Sequence, residues 1–327
     1  RDKIYNAETG VLLATTTGGV NIGGSPAHWT HPGNILWKVS APVANDLLGD
    51  ANLELILGNE IYSVDITNSN GTAGNSITLV QQATPPLDAP QDGHSQVADF
   101  NEDGYLDVFI SVRNTPNTIG TVYGYVWDVH NNTVSQPFVI STTFSGKSTP
   151  LIADIDNDGQ LEIVIQCAVA GTTETFRAYK YNPASQAFTL MWSHYADEDS
   201  YSNSVSAFDF NQDGILELLI SDQSTLRIVN GCGKSHLTGN DTLAVYSMAT
   251  LPLGQVTCMQ YPVIADIDAD GSADILVISN NIRILKSSTV PWAPARKVWN
   301  QYMYKVTNVN EDLTIPQYQF NNATVFN

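Results

Sequence analysis

Four stretches of this chain share the pattern D-x-[DN]-x-D-G-x-x-[DE], at residues 99–107, 154–162, 209–217 and 266–274. Oxygen-bearing side chains fall at positions 1, 3, 5 and 9 of each. They are Asp99, Asn101, Asp103 and Asp107; Asp154, Asp156, Asp158 and Glu162; Asp209, Asn211, Asp213 and Glu217; and Asp266, Asp268, Asp270 and Asp274. In a tight loop, side chains at alternate positions can converge on one point. A glycine at position 6 permits the sharp turn because it tolerates positive φ. Position 7 (Tyr105, Gln160, Ile215 or Ser272) offers a backbone carbonyl. Such a set suits calcium, a hard cation that takes about six to eight oxygens. Asp, Asn and Gly also make ordinary metal-free turns, but four loops in register favour a cation, and about four Ca²⁺ per chain are expected. The closing acid arrives at position 9 and opens a stretch of strand composition. In a helix-flanked EF-hand loop it stands at position 12 and opens a helix, so that fold is excluded.

The elements that position these loops follow from their spacing. The first aspartates, Asp99, Asp154, Asp209 and Asp266, stand 55, 55 and 57 residues apart. An eroded copy, VANDLLGDANLELILG (43–58), places Asp46 53 residues before Asp99. It keeps Asp50 and Glu54 but has Leu48 at position 3 and Ala51 at position 6, so it is read as metal-free or very weak. Apolar residues fill positions 2 and 8, as in Phe100 and Leu106 or Ile155 and Leu161, and should anchor the loop to a core. Each loop is flanked by short apolar, β-branched runs too short for helices. Further strands are expected at 121–129, 173–181, 188–195, 225–230 and 242–249.

Four strands per repeat of this length is the size of a propeller blade. The expected fold is therefore all-β, a single β-propeller of four-stranded blades over residues 1–327. Dividing the chain by the period gives six blades, with seven left open. Residues 1–40 would supply a partial N-terminal blade, 41–290 five repeats, and 291–327 a closing segment with strands near 297–306 and 316–321.

Charge narrows the partners. Fourteen Lys and Arg stand against 33 Asp and Glu, a net of −19, which repels nucleic acid. The four intact loops hold 15 of those acids, so much of the charge reads as ligand. No apolar run is long enough to span a bilayer. Cys167, Cys232 and Cys258 lack zinc spacing; Cys232 and Cys258 could pair, and Cys167 reads as a small buried hydrophobe on a strand. Neither HExxH nor GxSxG nor a phosphate loop is present, and no enzyme is expected, although paired acids on distant loops stay open.

If the acidic loops join the first two strands of each blade, the blade-to-blade connections lie on the opposite face, where loops carry function on a rigid scaffold. The segment around 195–204 is the most suggestive. There Tyr195 and Tyr201 interleave with Asp197, Glu198 and Asp199, and His94 precedes a first strand in an equivalent connection. Rings beside carboxylates suit a sugar, which has an apolar face and hydroxyl edges; a plain solvated loop is the competing reading.

The segments DFNEDGYLDV, DIDNDGQLEI, DFNQDGILEL and DIDADGSADI resemble the FG-GAP/VCBS repeat of integrin α-subunit propellers and many bacterial surface proteins. The resemblance covers roughly residues 40–290. It implies that the acidic loop joins the first two strands of each blade and binds calcium. Residues 294–316 also resemble a segment that follows such repeats in large secreted proteins of Bacteroidetes-type bacteria. Together these imply a secreted or cell-surface module of a larger protein, with a glycan or protein ligand and no membrane insertion. A polysaccharide lyase or hydrolase on the same scaffold, or a structural or secretion-associated spacer, are the alternatives.

Overall fold

The computed structural model describes residues 3–15, 43–50, 52–84, 86, 94–113, 121–142, 150–167, 176–195, 205–221, 225–233, 244–247, 262–278, 282–288 and 290–296. Among them every regular element is a β-strand, and every pairing is antiparallel. The expected closing strands near 297–306 and 316–321 lie outside the described residues. The chain divides into two compact units, Arg1–Phe144 and Ser145–Asn327.

In the first unit, a hairpin of β1 (Lys3–Tyr5) and β2 (Leu12–Thr15) precedes a four-stranded sheet. That sheet runs in chain order through β3 (Val43–Asn45), β4 (Glu54–Leu57), β5 (Glu60–Asp65) and β6 (Ser76–Gln82). The next sheet orders β7 (His94–Ala98), β8 (Asp107–Arg113) and β9 (Val122–Asp128). Both β10 (Thr133–Val134) and β11 (Phe138–Ser141) pair with the outer edge of β9. Ile56 and Ile61 of one sheet pack with Val108, Ile110, Tyr125 and Trp127 of the next in one apolar cluster. The hairpin is tied to the 43–82 sheet by Ala14 against Leu57, Tyr62 and Ile77.

The second unit repeats the plan. Its sheets are β12 (Leu151–Ala153), β13 (Glu162–Gln166), β14 (Phe176–Asn182) and β15 (Ala187–His194); then β16 (Val205–Phe208), β17 (Glu217–Ser221), β18 (Thr225–Asn230) and β19 (Ala244–Ser247); then β20 (Val263–Ala265), β21 (Asp274–Ile278) and β22 (Ile282–Leu285). Every strand expected from sequence between 121 and 249 is present within a few residues of its bounds. Second strands such as EIVIQ and ELLIS are buried along their whole length. In ELLIS, Leu218 packs with the preceding sheet and Leu219 with the following one, so this run is apolar on both faces because a sheet covers each. Ile155, Val164, Leu216 and Leu218 share one cluster, and Phe210, Leu219, Ile275 and Ala293 another.

The loops are stitched together as well. Ile155 at position 2 of one loop accepts a hydrogen bond from the Leu216 N–H at position 8 of the next (3.1 Å). Residues 291–296 pass between the following two loops, where Ala293 donates to the Phe210 carbonyl and accepts from Ala273 N–H, both at 2.9 Å. In the 154–162, 209–217 and 266–274 loops, backbone groups at positions 2 and 8 thus tie the loop to what packs beside it.

Candidate metal loops

All four acidic loops join the first and second strands of their sheets, and the closing acid is the first residue of the second strand. Their backbones agree. Position 4 is left-handed at a non-glycine in each (Glu102 φ 59°, Asn157 59°, Gln212 61°, Ala269 64°), followed by glycine at position 6 (Gly104 88°, Gly159 92°, Gly214 91°, Gly271 92°). The sequence pattern marks only the glycine; the second left-handed residue carries no type signature.

This backbone aims N–H groups at the acids. The position 1 carboxylate accepts from positions 5 and 6: Asp99 from Asp103 and Gly104, Asp154 from Asp158 and Gly159, Asp209 from Asp213 and Gly214, Asp266 from Asp270 and Gly271. The position 5 carboxylate accepts from position 7, that is from Tyr105, Gln160, Ile215 and Ser272. One oxygen of each closing acid accepts from position 2 at 2.9 Å: Asp107 from Phe100, Glu162 from Ile155, Glu217 from Phe210, Asp274 from Ile267.

These bonds hold the carboxylates in one small region. Single oxygens of Asp154, Asp156 and Glu162 lie within 4.8 Å of one another, as do those of Asp266, Asp268 and Asp274. In the 99–107 loop, Asn101 Nδ2 donates to both Asp103 and Asp128 at 3.1 Å. Asp107 is 1% exposed, and its Oδ1 is buried with no hydrogen-bond partner. Burial first, then the charges of Asp128, Asp99 and Asp103, push the Asp107 carboxyl up to about 8. Burial likewise leads the rise of Glu162 and Glu217 to about 8. Clustered acids so strained toward protonation, with Asp107 Oδ1 buried and without a hydrogen bond, are what a divalent cation would relieve. The donor set fits calcium.

The strand beyond each closing acid contributes a residue that the motif does not mark. Across from the closing acid in the ladder stand Lys180 (opposite Glu162) and Asn230 (opposite Glu217). One step past the pairs Val108–Trp127 and Ile275–Leu285, the same registers bring Asp128 opposite Asp107 and Lys286 opposite Asp274. Lys180 Nζ lies 3.6 Å from Asp156, 3.3 Å from Glu162 Oε1, and pairs with Asp158. Lys286 Nζ lies 2.8 Å from Asp270, 3.8 Å from Asp274, and pairs with Asp268. The available signal was a polar residue directly after two apolar ones, as in YVWD, RAYK, RIVN and RILK.

Of the residues singled out for ligand binding, Tyr195 and His94 lie among the described residues. Tyr195 is exposed after β15, with the Arg227 guanidinium 6.0 Å from its ring centroid. Asp197, Glu198, Asp199 and Tyr201 lie outside the described residues. His94 opens β7, opposite Ser111. Cys167 is buried after β13, its thiol pushed up to about 12 by burial, and Cys232 is exposed while Cys258 lies outside the described residues.

Residues 99–165 match the family model of the FG-GAP-like repeat, from the first aspartate of one loop through the closing strand of the next. This stretch is an FG-GAP-like repeat. The loops at 209–217 and 266–274 carry the same acidic pattern beyond the match. No curated protein sequence matches the chain.

Among solved structures, the chain is similar to the V. cholerae biofilm matrix protein Bap1, at TM-score 0.52 and 14% identity over 86% of this chain and 69% of that one. It is also similar to the Photorhabdus luminescens Tc holotoxin pore (TM-score 0.34, 14% identity, 79% of this chain, 12% of that one). A third similarity is to an Aleuria aurantia lectin mutant in complex with Fucα1-6GlcNAc (TM-score 0.37, 11% identity, 75% and 74%). At these identities the first speaks to the fold alone and the other two carry no argument. The fold is all-β and β-propeller-like. Among the described residues no helix is long and apolar enough to cross a membrane.

Proposed function

We propose that the chain is a calcium-stabilised, six-bladed propeller module of a larger extracellular or cell-surface protein, binding a glycan or protein ligand without catalysis. The observation that carries the calcium reading is the 99–107 loop. Its backbone satisfies one oxygen of Asp107, and the other is buried with no hydrogen bond among further carboxylates. Each loop supplies carboxylate or amide oxygens at positions 1, 3, 5 and 9, with the position 7 carbonyl as a further ligand. A shell so complete suits a structural ion better than a catalytic one, which keeps an open position.

The ligand would be met on the face away from the loops, where Tyr195 stands exposed. The sheet packing and the Bap1-like fold support the propeller part of this reading, and the repeat resemblance supports the extracellular part.

The test is thermal unfolding in calcium and in excess EGTA, with bound metal quantified, followed by glycan-array binding and a reducing-sugar assay. Several Ca²⁺ per chain and a large loss of stability on chelation are expected, with glycan binding and no turnover. No bound metal and an unchanged melt would overturn the calcium reading. Release of sugars would overturn the non-catalytic one.

A further inference from the structure

The acidic loops share one backbone but differ in the residue facing them from the next strand. Opposite Asp107 stands Asp128, which is buried; the Asn101 amide bridges it to Asp103. That loop gathers Asp99, Asp103, Asp107 and Asp128, and among the described residues no cation of the chain reaches it. Opposite Glu162 and Asp274 stand Lys180 and Lys286. Each ammonium contacts the acids at positions 3, 5 and 9, which is where a divalent ion would have to sit.

The pattern is correlated: both lysine loops carry Asp at position 3, where the 99–107 loop carries Asn101. The extra acid and the lysine therefore come as a pair, and the ammonium supplies the charge that the additional carboxylate would otherwise repel. Position 3 is also the ligand that a metal-free loop has least reason to keep, since it accepts no loop N–H in the 154–162 or 266–274 hydrogen-bond sets described above.

Resting on the calcium reading above, we propose that Lys180 and Lys286 are built-in counter-cations that compete with calcium for their loops. The 99–107 loop fills first, and the 154–162 and 266–274 loops fill only when calcium displaces an ammonium. The two kinds of loop then have different dependence on the ion. The lysine loops hold their shape without metal, and the 99–107 loop does not. Calcium affinity follows ligand charge and site rigidity, and a fixed positive charge inside the shell opposes both binding and the release of the side chain it must move. The module would pass through a partly filled state at low calcium, with the 99–107 loop set and the lysine loops still closed by their own side chains.

Calorimetric calcium titration of the whole chain tests this, on wild type and on Lys180→Met, Lys286→Met and Asp128→Asn. Methionine keeps the length of the stem and adds neither charge nor oxygen ligand. A wild-type isotherm with tight and weak classes is expected. Each lysine variant should move one weak site at least about tenfold tighter, and Asp128→Asn should weaken a tight site by a similar factor. Melting in EGTA is the second readout: Lys180→Met should melt lower than wild type there and recover in calcium. Lys286 is partly exposed at the end of a strand, so its variant keeps the test open if Lys180→Met does not fold. Equivalent sites in wild type with unchanged isotherms in both lysine variants would overturn the split while leaving calcium in place. Absence of calcium binding in every protein would instead overturn the calcium reading on which the split rests.

Discussion

The 46–54 and 99–107 loops occupy the same place in successive sheets of one unit, between first and second strands, and they separate two jobs of the motif. Both keep a buried closing acid whose carboxylate accepts the N–H of position 2. Glu54 Oε2 takes Leu47 N–H at 2.8 Å and Leu48 N–H at 3.2 Å; Asp107 Oδ2 takes Phe100 N–H at 2.9 Å. Both use a left-handed residue at position 4, Gly49 and Glu102. What the 46–54 loop lacks is the oxygen at position 3, where Leu48 stands partly exposed, and the glycine at position 6. Asp46 accordingly accepts from Gly49 and Asp50, at positions 4 and 5, instead of 5 and 6. The closing acid is thus a requirement of the fold, kept where the metal pattern has decayed, and positions 3 and 6 are requirements of the ion.

The largest expected effect follows from charge. A carboxyl whose folded pKa lies above its unfolded value binds more protons when folded. Its stabilising contribution is then full below about 4 and is lost as pH rises through the folded value. Asp107, Glu162 and Glu217, each raised to about 8 chiefly by burial, set the window from about 4 to about 8. In EGTA the melting temperature should fall on the order of 10 °C between pH 5 and pH 8, the shift that several kcal/mol produces in a domain of this size. Calcium should abolish the fall. A melt independent of pH in chelator would mean that the Asp107 cluster is not strained, and the contrast between the loops would lose its electrostatic half.

Next comes removal of the closing acid. Glu54→Ala strands two backbone donors, one of them buried, at a cost of about 2–3 kcal/mol. Because the 46–54 loop holds no ion on this reading, the loss should be the same in calcium and in EGTA. Asp107→Ala should cost more in calcium than in EGTA, where removing a desolvated carboxylate partly offsets the lost hydrogen bond. Chemical denaturation in both conditions measures the difference, and equal ion dependence for the two variants would erase the distinction drawn between the loops.

Most of the repeat architecture was legible because both periods reinforce one another. The 55-residue recurrence located the loops, and short apolar runs such as LEIVIQ could only be strands. The facing residues were not legible. Which side chain opposes Glu162 depends on the register of β13 with β14, and a one-residue slip would have replaced Lys180 by its neighbour. Nothing in the sequence alone therefore ties the lysines at 180 and 286 to the loops. The second left-handed position hid for another reason: Glu102, Asn157, Gln212 and Ala269 share a conformation imposed by the surrounding hydrogen bonds, with no common chemistry.

Gly104 gives a smaller effect that bears on the same contrast. At φ 88° an alanine is strained, so Gly104→Ala should cost about 1–2 kcal/mol and weaken calcium binding as the Gly104 N–H is turned from Asp99. Ala51 already stands at the corresponding place in the 46–54 loop, and Ala51→Gly alone should change stability by less than about 1 kcal/mol.

The smallest change in stability, and the sharpest use of the comparison, is repair of the decayed loop. Leu48→Asp together with Ala51→Gly restores D-x-D-x-D-G-x-x-E at 46–54, with Asp46, Asp50 and Glu54 already in place. Leu48 contributes little to the core where it stands, so its replacement removes little apolar contact. Gly49 already supplies the left-handed turn at position 4. Bound calcium should rise by one per chain, with a melting temperature near wild type in EGTA and above it in calcium. Unchanged stoichiometry would mean that Asp46, with its carboxylate committed to Gly49 and Asp50, holds the loop in a closure that two substitutions do not undo. The ion would then depend on the whole hydrogen-bond set of the intact loops, and the oxygen ligands alone would not be enough.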